Sequence, residues 1–189
     1  MFKVDGDNII FDKHSKDRIP NICWVLPRPR PDHYKGSWPL HFGKKITWEL
    51  FGKEIKPLIL NPFGGKSEVG LRCDITKDAQ PDFFADAHKL PFKDNIFDAV
   101  YLDPPYNNSL SKKLYGTKKI KYNLFIKEAV RVCKSGGYIV SYHYVMTPRP
   151  DGTSYYMRIF LGTRVWHKLR IACIFKKDEV GIKSINKQV

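Results

Sequence analysis

With 189 residues the chain can bury one substantial core and is too short for two ordinary domains. Hydrophobic content of 42% with 14% aromatics excludes a disordered chain, no apolar run reaches the length of a membrane helix, and the polar start MFKVDGDNIIFDKHSKD is unlike a signal peptide, so a cytoplasmic protein without membrane contact is expected. A net charge of +14 is a large excess for one domain; it points to a polyanionic partner, most simply nucleic acid, with plain solubility as the alternative.

Residues 1–22 alternate weakly around Ile9-Ile10-Phe11 and read as an edge strand or a loosely held arm. From Trp24 the chain runs WVLPRPRPDHYKGSWP. Pro27, Pro29, Pro31 and Pro39 forbid helix or central strand there, leaving an extended segment that carries Arg28 and Arg30. It serves either as a solvated linker or as the basic rim of a nucleotide site. Apolar residues at Phe42, Ile46, Trp48, Leu50 and Phe51 predict an amphipathic helix over Leu40 to Leu50, with Pro39 in its first turn and Gly52 ending it.

Leu58-Ile59-Leu60 is a short buried strand, broken by Asn61-Pro62 and turned by Gly64-Gly65. Leu71 to Asp74 and Asp82 to Asp86 read as the next two strands, each ending in an acid. The link over 66–70 is far shorter than an ordinary parallel crossover and has room for one turn at most. A fourth strand, FDAVYL, stops at Asp103-Pro104-Pro105-Tyr106. Two prolines stiffen the backbone just where it leaves the sheet. The polar stretch 107–121 follows, with Lys112, Lys113, Lys118, Lys119 and Lys121 around Tyr115; it is either a solvated charge run or a phosphate-neutralising loop. Residues 122–134 place Leu124, Phe125, Ala129, Val130 and Cys133 on one helical face, with Gly136-Gly137 as the cap. A strand over 138–145 and a hairpin from 155–164 to 168–177 complete the pattern, and the tail from Asp178 is polar. Arg149, Arg158, Arg164 and Lys168 extend the basic surface.

Cys23, Cys73, Cys133 and Cys173 show no metal-ligand spacing and read as reduced thiols; the histidines show none either, so no metal is expected. Strands alternating with short connections predict an α/β fold: a single Rossmann-like domain with a mostly parallel twisted sheet ending in an antiparallel hairpin. One domain over 1–189 is expected, with an arm (1–23), a Pro/Arg-rich segment and helix (24–56), a catalytic core (57–177) and a tail (178–189). Ligands of such sheets bind outside the carboxyl ends of the strands, which singles out Asn61, Asp74, Asp86 and Asp103. Asp74 is placed to accept from a ribose diol, and Asp86 either from a base amino group or as a helix N-cap. The chain lacks G-x-G-x-x-G and G-x-x-x-x-G-K-[ST], which argues against NAD and ATP and for a nucleoside without a pyrophosphate.

Asp103-Pro104-Pro105-Tyr106 matches the D-P-P-Y motif of class I S-adenosylmethionine-dependent methyltransferases of the amino-group type, which modify adenine or cytosine in DNA. Asn61-Pro62-Phe63-Gly64-Gly65 resembles their D-P-F-x-G cofactor motif, with an amide in place of the carboxylate. DAHKLPFKDNIFDAVYLDPPY resembles their third and fourth strands, and HYKGSWPLHFGKKI the helix over the methionine end of the cofactor. The resemblance spans about residues 24–176, and the arrangement also resembles small phage- or mobile-element-borne methylases. It implies S-adenosylmethionine held by Asn61, Pro62, Phe63, Gly64, Gly65, Asp74, Asp86, Ala87 and Asp103, and catalysis by Asp103 to Tyr106. Nucleic acid, with DNA first, would meet Lys112, Lys113, Tyr115, Lys118, Lys119, Lys121, Arg28 and Arg30. Residues 66–102 and 107–121 leave no room for a target-recognition region, so specificity falls to the segment 24–39, a homodimer mate or a partner protein. An RNA or small-molecule amino methyltransferase, or a non-catalytic basic binding module of the same fold, are the alternatives.

Overall fold

The computed structural model describes residues 2–5, 8–11, 19–29, 37–106, 109, 112, 120–163 and 169–179. Within them lie the strands β1 Phe2–Asp5, β2 Asn8–Phe11, β3 Asn21–Val25, β4 Ile59–Asn61, β5 Leu71–Asp74, β6 Phe83–Phe84, β7 Phe97–Leu102, β8 Cys133–His143, β9 Thr153–Gly162 and β10 Arg170–Lys177. They form one sheet in the order β1-β2-β3-β9-β10-β8-β7-β4-β5-β6. Strands β6, β5, β4, β7 and β8 run parallel. Strand β10 inserts antiparallel between β8 and β9, and β3 pairs parallel with β9. The expected α/β architecture, mostly parallel with a terminal antiparallel hairpin, is therefore observed. The N-terminal residues are sheet members, with β1 at the edge and β2 joining it to β3.

Successive side chains of a strand point to opposite faces, and β7 shows what this does to the core. Ala99 and Tyr101 join one cluster with Trp24, Phe42, Ile46 and Leu50. Val100 and Leu102 join the other with Phe125, Ile126, Ala129 and Val132. Helix α1 (Phe42–Phe51) thus covers one face and α2 (Tyr122–Val132) the other. Phe42, Ile46 and Leu50 are the buried stripe of α1, while Trp48 is exposed. Pro39 lies ahead of α1 rather than in its first turn: the residue that caps the helix is His41, held at φ 66°, and the Phe42 N–H bonds back to the Pro39 carbonyl. Gly52, at φ 81°, ends the helix as expected. The fully buried Phe42 ring packs on Trp24, Trp38 and Tyr142. Phe42→Ala is expected to cost about 3–5 kcal/mol, seen as a lower urea midpoint.

Several boundaries differ from the expectation, each for a tertiary reason. The strand expected over 82–86 shrinks to Phe83–Phe84, because only those residues pair with β5. Asp86 therefore does not end a strand. Leu58 is exposed, and β4 starts one residue later. Gly136-Gly137 do not cap α2. The helix ends at Val132, and β8 begins directly at Cys133 in extended conformation. The glycines instead lie inside β8, where its register with β7 slips between the Phe97–Cys133 and Ala99–Tyr138 pairs. A Cβ on Gly137 would sit 2.7 Å from the Asp98 carbonyl and 2.8 Å from Cys133 Sγ, so the close strand approach requires glycine there. On α2, Leu124 is exposed, and Ile126 takes the buried position. The tail is tied at its start: the Asp178 N–H bonds the Gly152 carbonyl, and its carboxylate accepts from Ser154. The four cysteines are free thiols. Among the described residues no helix is long and apolar enough to cross a membrane.

Candidate active site

The chain builds outward from β4 to β5 and β6, then crosses back to β7 and β8 on the other side of β4. Such a reversal opens a crevice at the carboxyl ends of the two central strands. Asn61 is the last residue of β4, and Asp103 follows the last residue of β7. The fold therefore sets the two side by side at the switch point.

Asn61 is fully buried, yet neither its Oδ1 nor its Nδ2 has a hydrogen-bond partner. An unpaired buried polar group costs roughly 1–3 kcal/mol, so a native chain retains one for a reason. The turn after it is shaped by Arg72 of β5. Its guanidinium pairs with Asp82 at 2.7 Å and reaches the Gly65 carbonyl at 3.4 Å. A Cβ on Gly64 would meet Arg72 Cβ at 2.7 Å and the Asn61 carbonyl at 2.9 Å, and Gly65 sits at φ 48°. Both glycines are thus required by the backbone path. Pro62 is buried, and Phe63 packs edge-on against Phe125 of α2 at 5.2 Å, so these two support the turn from beneath.

Asp74 ends β5 with its Oδ1 accepting from the backbone N–H and hydroxyl of Thr76, both at 2.9 Å. Asp86 is exposed and caps no helix. Its Oδ1 accepts from the His88 backbone N–H at 2.9 Å and lies 2.6 Å from His88 Nδ1. The other ring nitrogen, Nε2, accepts from the Lys121 backbone N–H at 3.0 Å, so Nδ1 is the nitrogen that donates to Asp86. Ala87 is buried in the core. The following loop is held to α2 by Arg131, which bonds Glu128, Asp94 and the carbonyls of Leu90 and Phe92.

Asp103 as a residue is half-buried, but its carboxyl group lies on the enclosed side. Burial pushes its pKa up to about 8, against the opposing pull of a Trp38 hydrogen bond and the Arg170 charge. Pro104 is buried behind it. The Tyr106 hydroxyl accepts from Arg170 Nε at 2.8 Å, and the guanidinium lies 4.9 Å from the ring centre. Tyr106 also meets His143 and Tyr144 edge-on at 5.0 and 5.2 Å, while those two rings stack on each other at 4.6 Å. His143 stays below its ordinary pKa because it is buried and faces Arg170.

Trp38, Arg170, Tyr142, His143 and Tyr144 gather around Asp103 and Tyr106 without any local sequence motif that marks them. Arg170 opens β10, which runs opposite to its neighbours. Its first residue therefore lies at the same end of the sheet as the last residues of β7 and β8. The one available signal was the aromatic cluster Tyr142-His143-Tyr144 where an apolar strand stops. Of the basic residues singled out, Arg28, Lys112, Lys121 and Arg149 are exposed. Arg158 instead lies half-buried in β9, with its guanidinium 4.8 Å from the Tyr155 ring. Arg30, Lys113, Tyr115, Lys118, Lys119, Arg164 and Lys168 fall outside the described residues.

No protein-family model matches the sequence, and no curated protein matches it significantly. Solved structures do match. The MccD protein superposes with a TM-score of 0.52 at 10% identity, over 72% of this chain and 96% of that one. A chain of the complex between the Haloferax volcanii Trm112 methyltransferase activator and its methyltransferase gives 0.51 at 11% identity, over 74% and 90%. TrmN from Thermus thermophilus gives 0.50 at 16% identity, over 70% of this chain and 47% of that one, so this chain spans about half of TrmN. At these identities the likeness is one of fold, and the chain shares the Rossmann-like α/β fold of these structures.

Proposed function

We propose that the protein transfers a methyl group from S-adenosylmethionine to an exocyclic amino group of a nucleic-acid base, with adenine N6 in DNA as the target. The observation that carries this reading is Asp103-Pro104-Pro105-Tyr106 leaving β7 at the switch point, beside the buried, unpaired amide of Asn61.

When bound, S-adenosylmethionine supplies an electrophilic methyl group on a sulfonium. The residues present fit it. The orphaned Asn61 amide offers a donor and an acceptor to its amino-acid end, and the Gly64-Gly65 turn lets backbone approach it closely. Asp74 Oδ2, which takes no part in the Thr76 turn, is suited to ribose hydroxyls. Asp86 and the Ala87 backbone would hold the adenine end. Pro62 and Phe63 hold the turn in place.

An exocyclic amino nitrogen is a weak nucleophile because its lone pair is conjugated into the ring. The Asp103 carboxylate and the Pro104 carbonyl are two fixed acceptors for its N–H groups, and accepting both frees the lone pair. Pro104 and Pro105 keep those acceptors from moving. The proton displaced on methylation passes to Asp103, whose raised pKa favours taking it. Tyr106, anchored through its hydroxyl by Arg170, stacks on the base, an interaction worth roughly 1–3 kcal/mol. A base in a duplex must leave the stack to reach such a site. Arg28, Lys112 and Lys121, with Arg30, Lys113, Tyr115, Lys118 and Lys119, meet the surrounding phosphates. Residues 66–102 and 107–121 leave no room for a recognition region, so specificity falls to the segment 24–39, a partner protein or a second copy. One structural neighbour comes from a complex with a methyltransferase activator.

The test is incubation with methyl-labelled cofactor and separate pools of duplex DNA, single-stranded DNA and RNA, followed by identification of the labelled base. N6-methyladenine in DNA is the expected product. Label in RNA alone moves the target to RNA. DNA binding without cofactor binding, measured by calorimetry, makes the protein a non-enzymatic binding module.

A further inference from the structure

β8 does not end in a polar turn. After His143 the chain presents Tyr144, Val145 and Met146, which are 40%, 50% and 57% exposed. Three consecutive apolar residues in water are unfavourable unless something covers them. This tip is also held in shape. The His143 ring accepts the Val145 backbone N–H on Nδ1 at 3.2 Å and stacks on Tyr144. Tyr106 of the tetrad packs edge-on against both rings. The tip is thus fixed one ring away from the residues placed around the target base. Its border is cationic: Arg149 lies three residues beyond, and Lys121 precedes Tyr122, whose hydroxyl bonds the Pro148 carbonyl.

From this geometry we infer that Tyr144-Val145-Met146 is a wedge that enters the base stack of a nucleic-acid duplex beside the target and fills the gap left when that base turns outward. The inference rests on the methyl-transfer reading above and extends it to how the duplex is opened. Rigid apolar side chains suit this task, because an inserted wedge takes over the stacking that the neighbouring base loses. Lys121 and Arg149 are both exposed and lie together along the Tyr122–Pro148 contact, with the Arg149 guanidinium held by the Thr153 carbonyl; a cationic flank beside an apolar tip commits the surface to a polyanion rather than to a second copy or an apolar partner. Tyr144 serves as both the base of the wedge and its contact to Tyr106. Val145 and Met146 are the inserting tip.

The test compares wild type with Val145→Ser/Met146→Ser, which leaves Asp103, Tyr106, His143 and Tyr144 intact. Methyl transfer is measured on an intact duplex and on the same duplex with an abasic site opposite the target base. The expected result is a drop of about tenfold or more in kcat/KM on the intact duplex. Transfer to the pre-opened duplex and cofactor affinity should stay within about twofold of wild type. Equal loss on both duplexes, or no loss on either, overturns the wedge while the methyl-transfer reading stands. Wild-type protein that methylates neither duplex overturns the wedge together with the DNA reading. A wild-type dimer that the double substitution turns into a monomer, seen by sedimentation, assigns the tip to self-association and also overturns the wedge.

Discussion

Asp103→Ala is expected to lower methyl transfer by roughly 10²–10³-fold, the usual cost of removing a preorganised group that stabilises developing charge. Cofactor affinity should change little, because Asn61 and Asp74 sit on other strands and keep their positions. Asp103→Asn should fall between the two, since the amide keeps one acceptor oxygen but cannot take the displaced proton. Transfer kinetics with labelled cofactor and calorimetric cofactor titration separate the two effects. Wild-type turnover in Asp103→Ala would remove Asp103 from the chemistry. Parallel loss of turnover and cofactor binding would make it a binding residue.

The second large effect is on pH dependence. The Asp103 carboxyl has its pKa pushed up to about 8, with burial as the main cause. Only the ionised form can take the displaced proton, so kcat/KM should rise about tenfold per pH unit below that value and level off above it. Trp38 and Arg170 both favour the ionised form. Trp38→Phe and Arg170→Met should therefore each move the midpoint of the profile to higher pH. A purely structural role for either residue would lower the rate without moving the midpoint. The sign for stability is opposite to that for activity. The folded-state pKa lies above the unfolded value of about 3.9, so this group favours the folded state most at low pH. That contribution is lost as pH rises through about 8. Urea unfolding between about pH 6 and 9 should show stability falling in wild type and a shallower fall in Asp103→Asn.

Arg170 has a place in both results because it bridges the tetrad and the last strand. It donates to Tyr106 and lowers the Asp103 pKa. His143, also beside it, stays neutral and keeps its Nδ1 as the acceptor for Val145. One arginine thus ties the acceptor acid, the stacking tyrosine and the apolar tip into a single cluster.

Local chemistry was legible wherever the deciding contacts are close in sequence. The apolar run Phe97–Leu102, stopped by two prolines, is readable without a fold, and it is a strand ended where expected. The turn at Asn61 to Gly65 and the acid at Asp74 are similar cases. The helix stripe Phe42, Ile46, Leu50 follows from period alone. Gly136-Gly137 shows the opposite situation. By local rules a glycine pair after a helix is a cap, yet the backbone of β7 lies close enough to require glycine inside a strand. By the same local rules Asp86 ends a strand, yet it faces His88 in a turn, because β5 offers pairing to only two residues there.

Which backbone is stiff, which runs are apolar, and that an acid, two prolines and a tyrosine leave the sheet together are all written in the local sequence. These properties depend on neighbours within a few residues. What surrounds that acid comes from long-range packing. Trp38 reaches it from ahead of α1, and Arg170 from the start of an antiparallel strand that sheet pairing carries to the same end of the sheet. The raised pKa of Asp103, the unpaired amide of Asn61 and the exposed tip at Tyr144 are likewise properties of enclosure. They exist only once distant segments have closed around them.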